Sequence, residues 1–191
     1  MKVRELAVLA LACASATPAS AERERYRYDP VHTQVLFFAD HLGYSKPMGR
    51  FTRLAGTLEL DQDDWSRSGC DVAIETASLW LGDAGWEKKV LADDFLDAKR
   101  HPTITFACTR LEPTAERRAK LHGDLTIRGV TRAVVLELRM NRVGRHSYSL
   151  KHVAGFSATG TIRRSDFGIR RLLPAVGDEL EVRLEVEAIR E

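Results

Sequence analysis

The chain has 191 residues, of which 44% are hydrophobic and 29% charged, with 29 Lys and Arg against 27 Asp and Glu. This length suits one ordinary domain, and the composition excludes a disordered or collagen-like chain. The near-balance of charge argues against a protein whose main task is nucleic-acid binding, because such domains concentrate Lys and Arg on one face.

The first 21 residues have the three regions of a secretory signal peptide. Lys2 and Arg4 precede an uncharged apolar run over residues 6–14, and Ala19-Ser20-Ala21 forms a small-x-small cleavage site. The apolar run is much shorter than the roughly 20 residues of a transmembrane helix. We therefore expect residues 1–21 to be removed on export, and residues 22–191 to form a mature domain without a transmembrane segment.

Eight runs of alternating apolar and polar residues follow, which is typical of antiparallel strands with one buried face. By their inward residues the runs cover 35–39, 54–60, 70–76, 104–108, 121–127, 134–140, 154–162 and 180–188. Asp83 to Ala98 breaks this period with apolar residues at helical spacing, and Asp83 stands where an N-cap would. The pattern predicts an all-β fold, either a closed barrel or a two-sheet sandwich, with one inserted amphipathic helix.

The inward faces of these runs are apolar, and Ala154, Ala158 and Gly160 make part of them small. A barrel of about eight strands is either filled by side chains or holds one small ligand, and the small residues favour the barrel with a channel. A packed core, in which small residues offset large ones, stays open. An apolar ligand in such a channel would contact seven residues: Phe37, Leu54, Ile74, Phe106, Leu136, Phe156 and Leu184.

Cys70 and Cys108 are the cysteines left in the mature chain. They fall on the inward faces of the third and fourth runs, near the start of one and the end of the other. If these runs pair antiparallel, the two side chains lie close enough for a disulfide, which export permits. A pair of buried thiols that pack as small apolar groups is the alternative.

Groups with obvious chemistry are few. The sequence has no His-Glu-x-x-His motif and no zinc-spaced cysteine pair, so we expect no metal site and no cofactor. Arg164 and Arg170 stand on either side of Asp166, and guanidinium groups match phosphate oxygens, so they are candidates to contact an anionic head group. A surface strand end in which Asp166 pairs with its neighbours is the alternative.

Five fragments in order resemble the YceI-like family, and they extend over nearly all of residues 26–190. They are Tyr28-Asp29-Pro30-Val31-His32-Thr33 with His41-Leu42-Gly43-Tyr44-Ser45, Gly49-x-Phe51 with Gly56-Thr57-Leu58, Asp94-Phe95-Leu96-Asp97 with Pro102-x-Ile104-Thr105-Phe106, Gly123-Asp124-Leu125-Thr126-Ile127-Arg128-Gly129-Val130-Thr131, and Arg164-Ser165-Asp166-Phe167-Gly168-Ile169. The resemblance implies an extended eight-stranded lipocalin-like barrel in the bacterial periplasm, with a polyisoprenoid or similar long apolar chain in its lumen. It also places the helix near the mouth, where Trp86, Val90 and Phe95 would form a lid.

The leading hypothesis is therefore a non-catalytic protein of the cell envelope that carries or sequesters a lipid. An enzyme acting on an apolar substrate would need a polar group on the inward face, and His32 and His41 are its candidate acids or bases. A third hypothesis is a filled barrel whose outward Leu36, Phe38 and Val135 bind an envelope partner, such as a membrane electron-transfer or quinone-handling protein. A monomer and a homodimer both stay open.

Overall fold

The computed structural model describes residues 23–191, so the predicted signal peptide lies outside the described residues. This part of the chain forms eleven strands, one α-helix and three short 3-10 helices. The elements are β1 (Glu24–Tyr28), β2 (Gln34–His41), β3 (Met48–Phe51), β4 (Leu54–Leu60), β5 (Gly69–Glu75), β6 (Leu79–Trp80), α1 (Ala84–Val90), β7 (Thr103–Ala115), β8 (Arg118–Ile127), β9 (Val130–Arg145), β10 (His152–Arg163) and β11 (Val176–Arg190).

Eight of the strands close into an antiparallel barrel in the order β1-β4-β5-β7-β8-β9-β10-β11, and β1 pairs back onto β11. The first part of β11 pairs instead with β2, and β3 and β6 extend the sheet from there. The predicted eight-stranded antiparallel barrel is confirmed. The eight predicted runs correspond to β2, β4, β5 and β7–β11, whereas the sequence pattern does not predict β1, β3 or β6.

The alternation of side chains places the apolar set inside the barrel. In β8, for example, Ala119, Leu121 and Ile127 are buried, while Arg118 and Asp124 are exposed. Successive side chains of a strand point to opposite faces, so each strand contributes every second residue to the interior. This period fixes which residues line the lumen.

A turn over residues 29–33 connects β1 to β2. β1 pairs with the last residues of β11, whereas β2 pairs with the first part of the same strand. The Asp29 carboxylate accepts hydrogen bonds from the backbone N–H groups of Val31 and His32. The backbone N–H of Asp29 and the Thr33 hydroxyl both donate to the Glu187 carbonyl, at 2.8 and 2.9 Å. The turn is therefore fixed to β11 from both of its ends.

The end of the barrel that includes β1 is filled by side chains. Tyr26, Ala154 and Ala188 have no exposed surface there, and they pack in one cluster with Leu58, Leu60, Met140 and Phe156. Ala154 therefore belongs to a packed core, so at this position the prediction of a packed core holds and the prediction of a channel does not. Ala158, four residues further along β10, lines a cavity instead.

The helix is shorter than predicted. Asp83 caps it as expected, because its carboxylate accepts a hydrogen bond from a backbone N–H of the first turn at 2.8 Å. α1 nevertheless ends at Val90 rather than at Ala98. The aspartates at 93 and 94 are poor helix formers, since short carboxylates compete for nearby backbone N–H groups. The chain continues there as tight turns, and Asp97 has a positive φ of 48°.

Candidate ligand-binding lumen

The barrel encloses a cavity of about 480 Å³ that begins at α1 and extends to the filled end. This volume is within the range of about 300–1,000 Å³ that is typical of ligand pockets. Three of its lining residues are charged, namely Asp40, Lys89 and Arg164, and nearly all the others are aliphatic or aromatic. The sequence allowed either a channel or a packed core, and the barrel contains the channel.

All seven residues predicted to contact an apolar ligand lie on the wall of this cavity. They come from seven different strands, so the wall is apolar around its whole circumference: Phe37, Leu54, Ile74, Phe106, Leu136, Phe156 and Leu184. Their contact with a ligand stays a prediction.

The cavity is long rather than round. Along β11 its wall includes Val176, Leu180, Val182, Leu184 and Val186. Ten residues of strand separate the first from the last, and the irregularity of β11 between Val176 and Leu180 makes this stretch shorter than the roughly 33 Å of a regular strand. An elongated apolar space of this kind suits an extended chain better than a compact molecule.

Two aromatic rings lie against the wall because glycines stand behind them. A Cβ on Gly123 would be 2.2 Å from Cζ of Phe106, and a Cβ on Gly49 would be 2.2 Å from Cζ of Phe37. Phe37 also contacts Phe51, with ring centroids 5.9 Å apart. The glycines thus let large rings cover the wall without filling the lumen.

The mouth of the lumen lies beside α1. Trp86, Val90 and Phe95, the predicted lid residues, all line the cavity. The Trp86 ring packs against His41, with centroids 5.6 Å apart. Trp86 is 42% exposed and also lines the cavity, as does Leu172 at 47%, so the cavity reaches the surface here.

Arg164 lines the cavity, but its guanidinium faces the protein backbone. It donates to the carbonyls of Gly177, Ile169, Arg171 and Val176 at distances of 2.7–3.1 Å. The residue is 5% exposed, and burial lowers the pKa of the guanidinium against the opposing effect of Asp178. Four of its five N–H donors are thus bonded to backbone carbonyls, which gives Arg164 a structural role, and its contact with a head group stays a prediction.

The other residues of that predicted cluster are also arranged differently. Arg170 is exposed and does not line the cavity. Asp166 is exposed as well, and the carboxylate that meets this segment is Asp178, which accepts from the backbone and hydroxyl of Ser165 at 2.9 and 2.7 Å. The sequence order suggested a cluster around Asp166, whereas the fold builds one around Arg164 and the loop before β11.

The two cysteines face each other as the strand pairing predicts. β5 pairs with β7 through Asp71 and Ala107, which makes Cys70 and Cys108 the next opposed positions. Both are free thiols in the structure. Their mutual hydrogen bond raises the pKa of Cys70, with burial adding to the rise, and lowers the pKa of Cys108. The disulfide stays a prediction.

The two candidate catalytic histidines are in different places. His41 lies at the mouth and lines the cavity. His32 is on the outer turn, where its Nδ1 is 2.9 Å from Oδ2 of Asp29 and 3.9 Å from Oε2 of Glu187. The hydrogen bond to Asp29 raises the pKa of His32. This outer group was not apparent from the sequence, because Glu187 is far away along the chain.

The ligand atoms of Asp29, His32 and Glu187 lie within 4.8 Å of one another, which is the spacing of possible metal ligands. His32 pairs with both carboxylates, and these two ion pairs account for the close spacing of the three groups. Of the apolar residues predicted to face outward and bind a protein partner, Val135 is 47% exposed, whereas Leu36 and Phe38 are half-buried. The prediction is wrong for Leu36, which lines the cavity. No helix among residues 23–191 is long and apolar enough to cross a membrane.

A closed antiparallel barrel around an apolar cavity, with a helix at its open end, defines a lipocalin-like barrel. The sequence model of the YceI-like domain family matches residues 26–188, and the chain therefore belongs to the YceI-like family. A UPF0312 protein of Pseudomonas putida is 34% identical over 160 residues, which cover 84% of this chain and 82% of that protein.

Solved structures have the same fold. Burkholderia cenocepacia BcnA matches with a TM-score of 0.76 at 21% identity, over 84% of this chain and 98% of that one. A polyisoprenoid-binding domain from Saccharophagus degradans matches with a TM-score of 0.67 at 12% identity, over 87% of this chain and 98% of that one. At these identities the similarity establishes the fold.

Proposed function

We propose that this protein carries or sequesters a polyisoprenoid or a similar long apolar chain in its lumen, in the bacterial periplasm. The observation that carries the proposal is the elongated cavity of about 480 Å³ with apolar walls. Burial of apolar surface contributes about 25 cal/mol per Å², so a chain that fills this space gains affinity along its whole length.

The distribution of polar groups supports an apolar ligand over a sugar or a nucleotide. Arg164 has four of its five donors bonded to backbone carbonyls, and Asp40 and Lys89 lie near the mouth. A polar group placed deeper would lose its hydrogen bonds to water without finding partners, which costs several kcal/mol. A ligand with a polar head would therefore keep the head at the mouth and the chain inside.

The relatives support the same assignment. The domain from Saccharophagus degradans that shares this barrel is described as polyisoprenoid-binding. The N-terminal sequence supports export, because it has the charged, apolar and cleavage regions of a signal peptide. Both points concern the class of ligand and the compartment, and neither identifies the particular chain.

We further infer that the protein binds its ligand without chemical turnover. His41, the candidate acid or base on the cavity wall, stacks against Trp86 at the mouth. General acid–base catalysis needs such a group within hydrogen-bond reach of the reacting atom. The apolar chain inside the lumen offers no such atom, so turnover would be restricted to a polar head group at the mouth, and a ligand recovered with its head group unchanged supports binding alone.

The test uses protein purified from the periplasm of cells that express the full chain with its leader. Native mass spectrometry followed by organic extraction should give a polypeptide that begins at Glu22 and a co-purified apolar chain. Delipidated protein should then bind a long-chain polyprenol in preference to palmitate. A homogeneous chain from which no lipid can be extracted, and which takes up neither probe, would overturn the proposal.

A pair of variants ties the binding to the lumen. Leu184→Trp adds bulk to the cavity wall, whereas Val135→Trp adds the same side chain to an exposed position on β9. We expect the first to reduce bound polyprenol at least about tenfold and the second to leave it unchanged. If Leu184→Trp proves unfolded by circular dichroism, Ala158→Phe fills the same lumen from β10. Equal binding by the folded lumen and surface variants would contradict a site inside the barrel.

A further inference from the structure

The rim of the lumen carries large apolar side chains that are open to solvent. Leu42, Tyr44, Trp86 and Leu172 are 55, 88, 42 and 47% exposed. Trp86 and Leu172 also line the cavity. The apolar surface therefore continues from the lumen wall to the outside of the protein. These four residues are called the mouth rim below.

The mouth rim comes from three segments that contact one another. The backbone N–H of Leu42 donates to the Ala175 carbonyl at 2.8 Å, which joins the turn after β2 to the loop before β11. His41 packs on Trp86, which joins that turn to α1. Arg171 forms an ion pair of 3.1 Å with Asp94, which joins the loop to the segment after α1. The rim is therefore one continuous surface.

Basic side chains stand next to these apolar groups. Lys88 and Lys89 on α1 and Arg170 in the loop are exposed. Acidic residues stand in the same segments: Asp83 caps α1, Glu87 accepts a hydrogen bond from the backbone N–H of Leu81, and Asp94 pairs with Arg171. Trp, Tyr and Leu beside Lys and Arg are the side chains that proteins place at membrane–water interfaces.

We propose that the mouth rim docks on the surface of a phospholipid bilayer, with the open end of the lumen facing the lipid. The proposal rests on the lipid-carrying function proposed above. A long apolar chain that crossed water between a membrane and the lumen would expose its whole surface, which is unfavourable. Contact between the rim and the bilayer gives the chain an apolar path, because the rim and the lumen wall are continuous.

The test uses delipidated full-length mature protein and sedimentation with vesicles. One set of vesicles is pure phosphatidylcholine, and the other contains phosphatidylglycerol in addition. We expect binding to both sets, because the apolar mouth rim is the part that contacts the bilayer and the nearby acidic and basic side chains offset one another. Tyr44→Ser should lower the bound fraction at least about threefold, and Trp86→Ser should lower it as well.

A matched control comes from the opposite end of the barrel. Tyr148 is 93% exposed in the turn between β9 and β10, and the 12 residues of β10 separate it from the mouth by about 35–40 Å. Tyr148→Ser removes the same side chain from a similar environment, and we expect it to bind vesicles like the unmodified protein. Circular dichroism confirms that each variant is folded.

Two results would overturn the docking proposal. One is absence of vesicle binding by folded protein that still takes up polyprenol, which would leave the carrier function intact. The other is light scattering that shows a dimer which Tyr44→Ser converts to monomer, because the rim would then be covered by a second copy. Vesicle binding without polyprenol uptake would contradict the carrier function alone and support the docking surface.

Discussion

Removal of the Arg164 side chain tests whether this residue stabilises the mouth or recognises a ligand. Its guanidinium donates to four backbone carbonyls within residues 169–177, and it is 5% exposed. Arg164→Met keeps most of the apolar stem and removes every one of these donors. We expect a clear loss of stability, because the carbonyls lose their partners together.

The size of the effect follows from the four hydrogen bonds. A hydrogen bond to a charged group contributes about 1.5–3 kcal/mol, so four of them would sum to at least about 6 kcal/mol if they were independent. Gly177 and Val176 are only half-buried, so water can replace part of what their carbonyls lose. A buried acceptor left without a partner costs about 1–3 kcal/mol, and since only part of this set stays away from water we expect a total loss of about 2–5 kcal/mol.

Urea unfolding measured by circular dichroism gives this free energy directly, with Arg170→Met as the control, since Arg170 is exposed near the same loop. The control should change the free energy of unfolding by less than about 0.5 kcal/mol. Unchanged stability of Arg164→Met together with weaker binding of polyprenyl phosphate would refute the structural role. It would restore head-group recognition as the role of Arg164.

Three further predictions concern the wall, the thiols and the outer turn. Gly123→Ala should destabilise the fold by about 1–3 kcal/mol in urea unfolding, because the new Cβ meets the Phe106 ring at 2.2 Å; an unchanged midpoint would contradict this packing. The hydrogen bond with Cys70 lowers the pKa of Cys108, so we propose that limiting iodoacetamide alkylates Cys108 first. Mass spectrometry that finds Cys70 modified first argues against this order. We also propose that oxidised glutathione closes a disulfide between the two cysteines. The hydrogen bond with Asp29 raises the pKa of His32, so its contribution to stability is complete below about pH 6.5 and is lost as the pH rises through the raised value. In NMR titrations Asp29→Asn should lower that pKa toward the ordinary range, with Glu187 still raising it, and an identical titration in the variant would disprove the pairing.

The lining of the lumen was predictable because a strand has a strict period of two. Once Phe37 or Leu184 is assigned to the inner face, its neighbours two residues away follow without knowledge of the fold. The same period predicted the proximity of Cys70 and Cys108, since antiparallel pairing brings the start of one strand beside the end of the next. What the pattern did not decide was whether the interior was empty, which depends on the summed volume of all eight walls.

The features that the sequence did not predict depend on contacts between distant residues. β1 has only Tyr26 and Tyr28 as apolar residues among charged neighbours, and it directly follows the predicted signal peptide, so its period is short and easily missed. The role of Arg164 depends on a loop that returns its carbonyls to the guanidinium. The pairing of His32 with Glu187 depends on where the chain leaves β1 and joins β11 again. Local pattern contains none of this information.

The two ends of the barrel differ, and this difference determines how a chain would enter. At the β1 end the Tyr26 ring is fully buried among Ala154 and Ala188, and its hydroxyl donates to Glu24 at 2.5 Å. Small residues on β10 and β11 make room there for an aromatic side chain from another strand, so the space is occupied. Nearer α1, Ala158 lines the cavity, and the space remains open. A chain must then enter tail first from the α1 end, which leaves any polar head group beside the mouth rim.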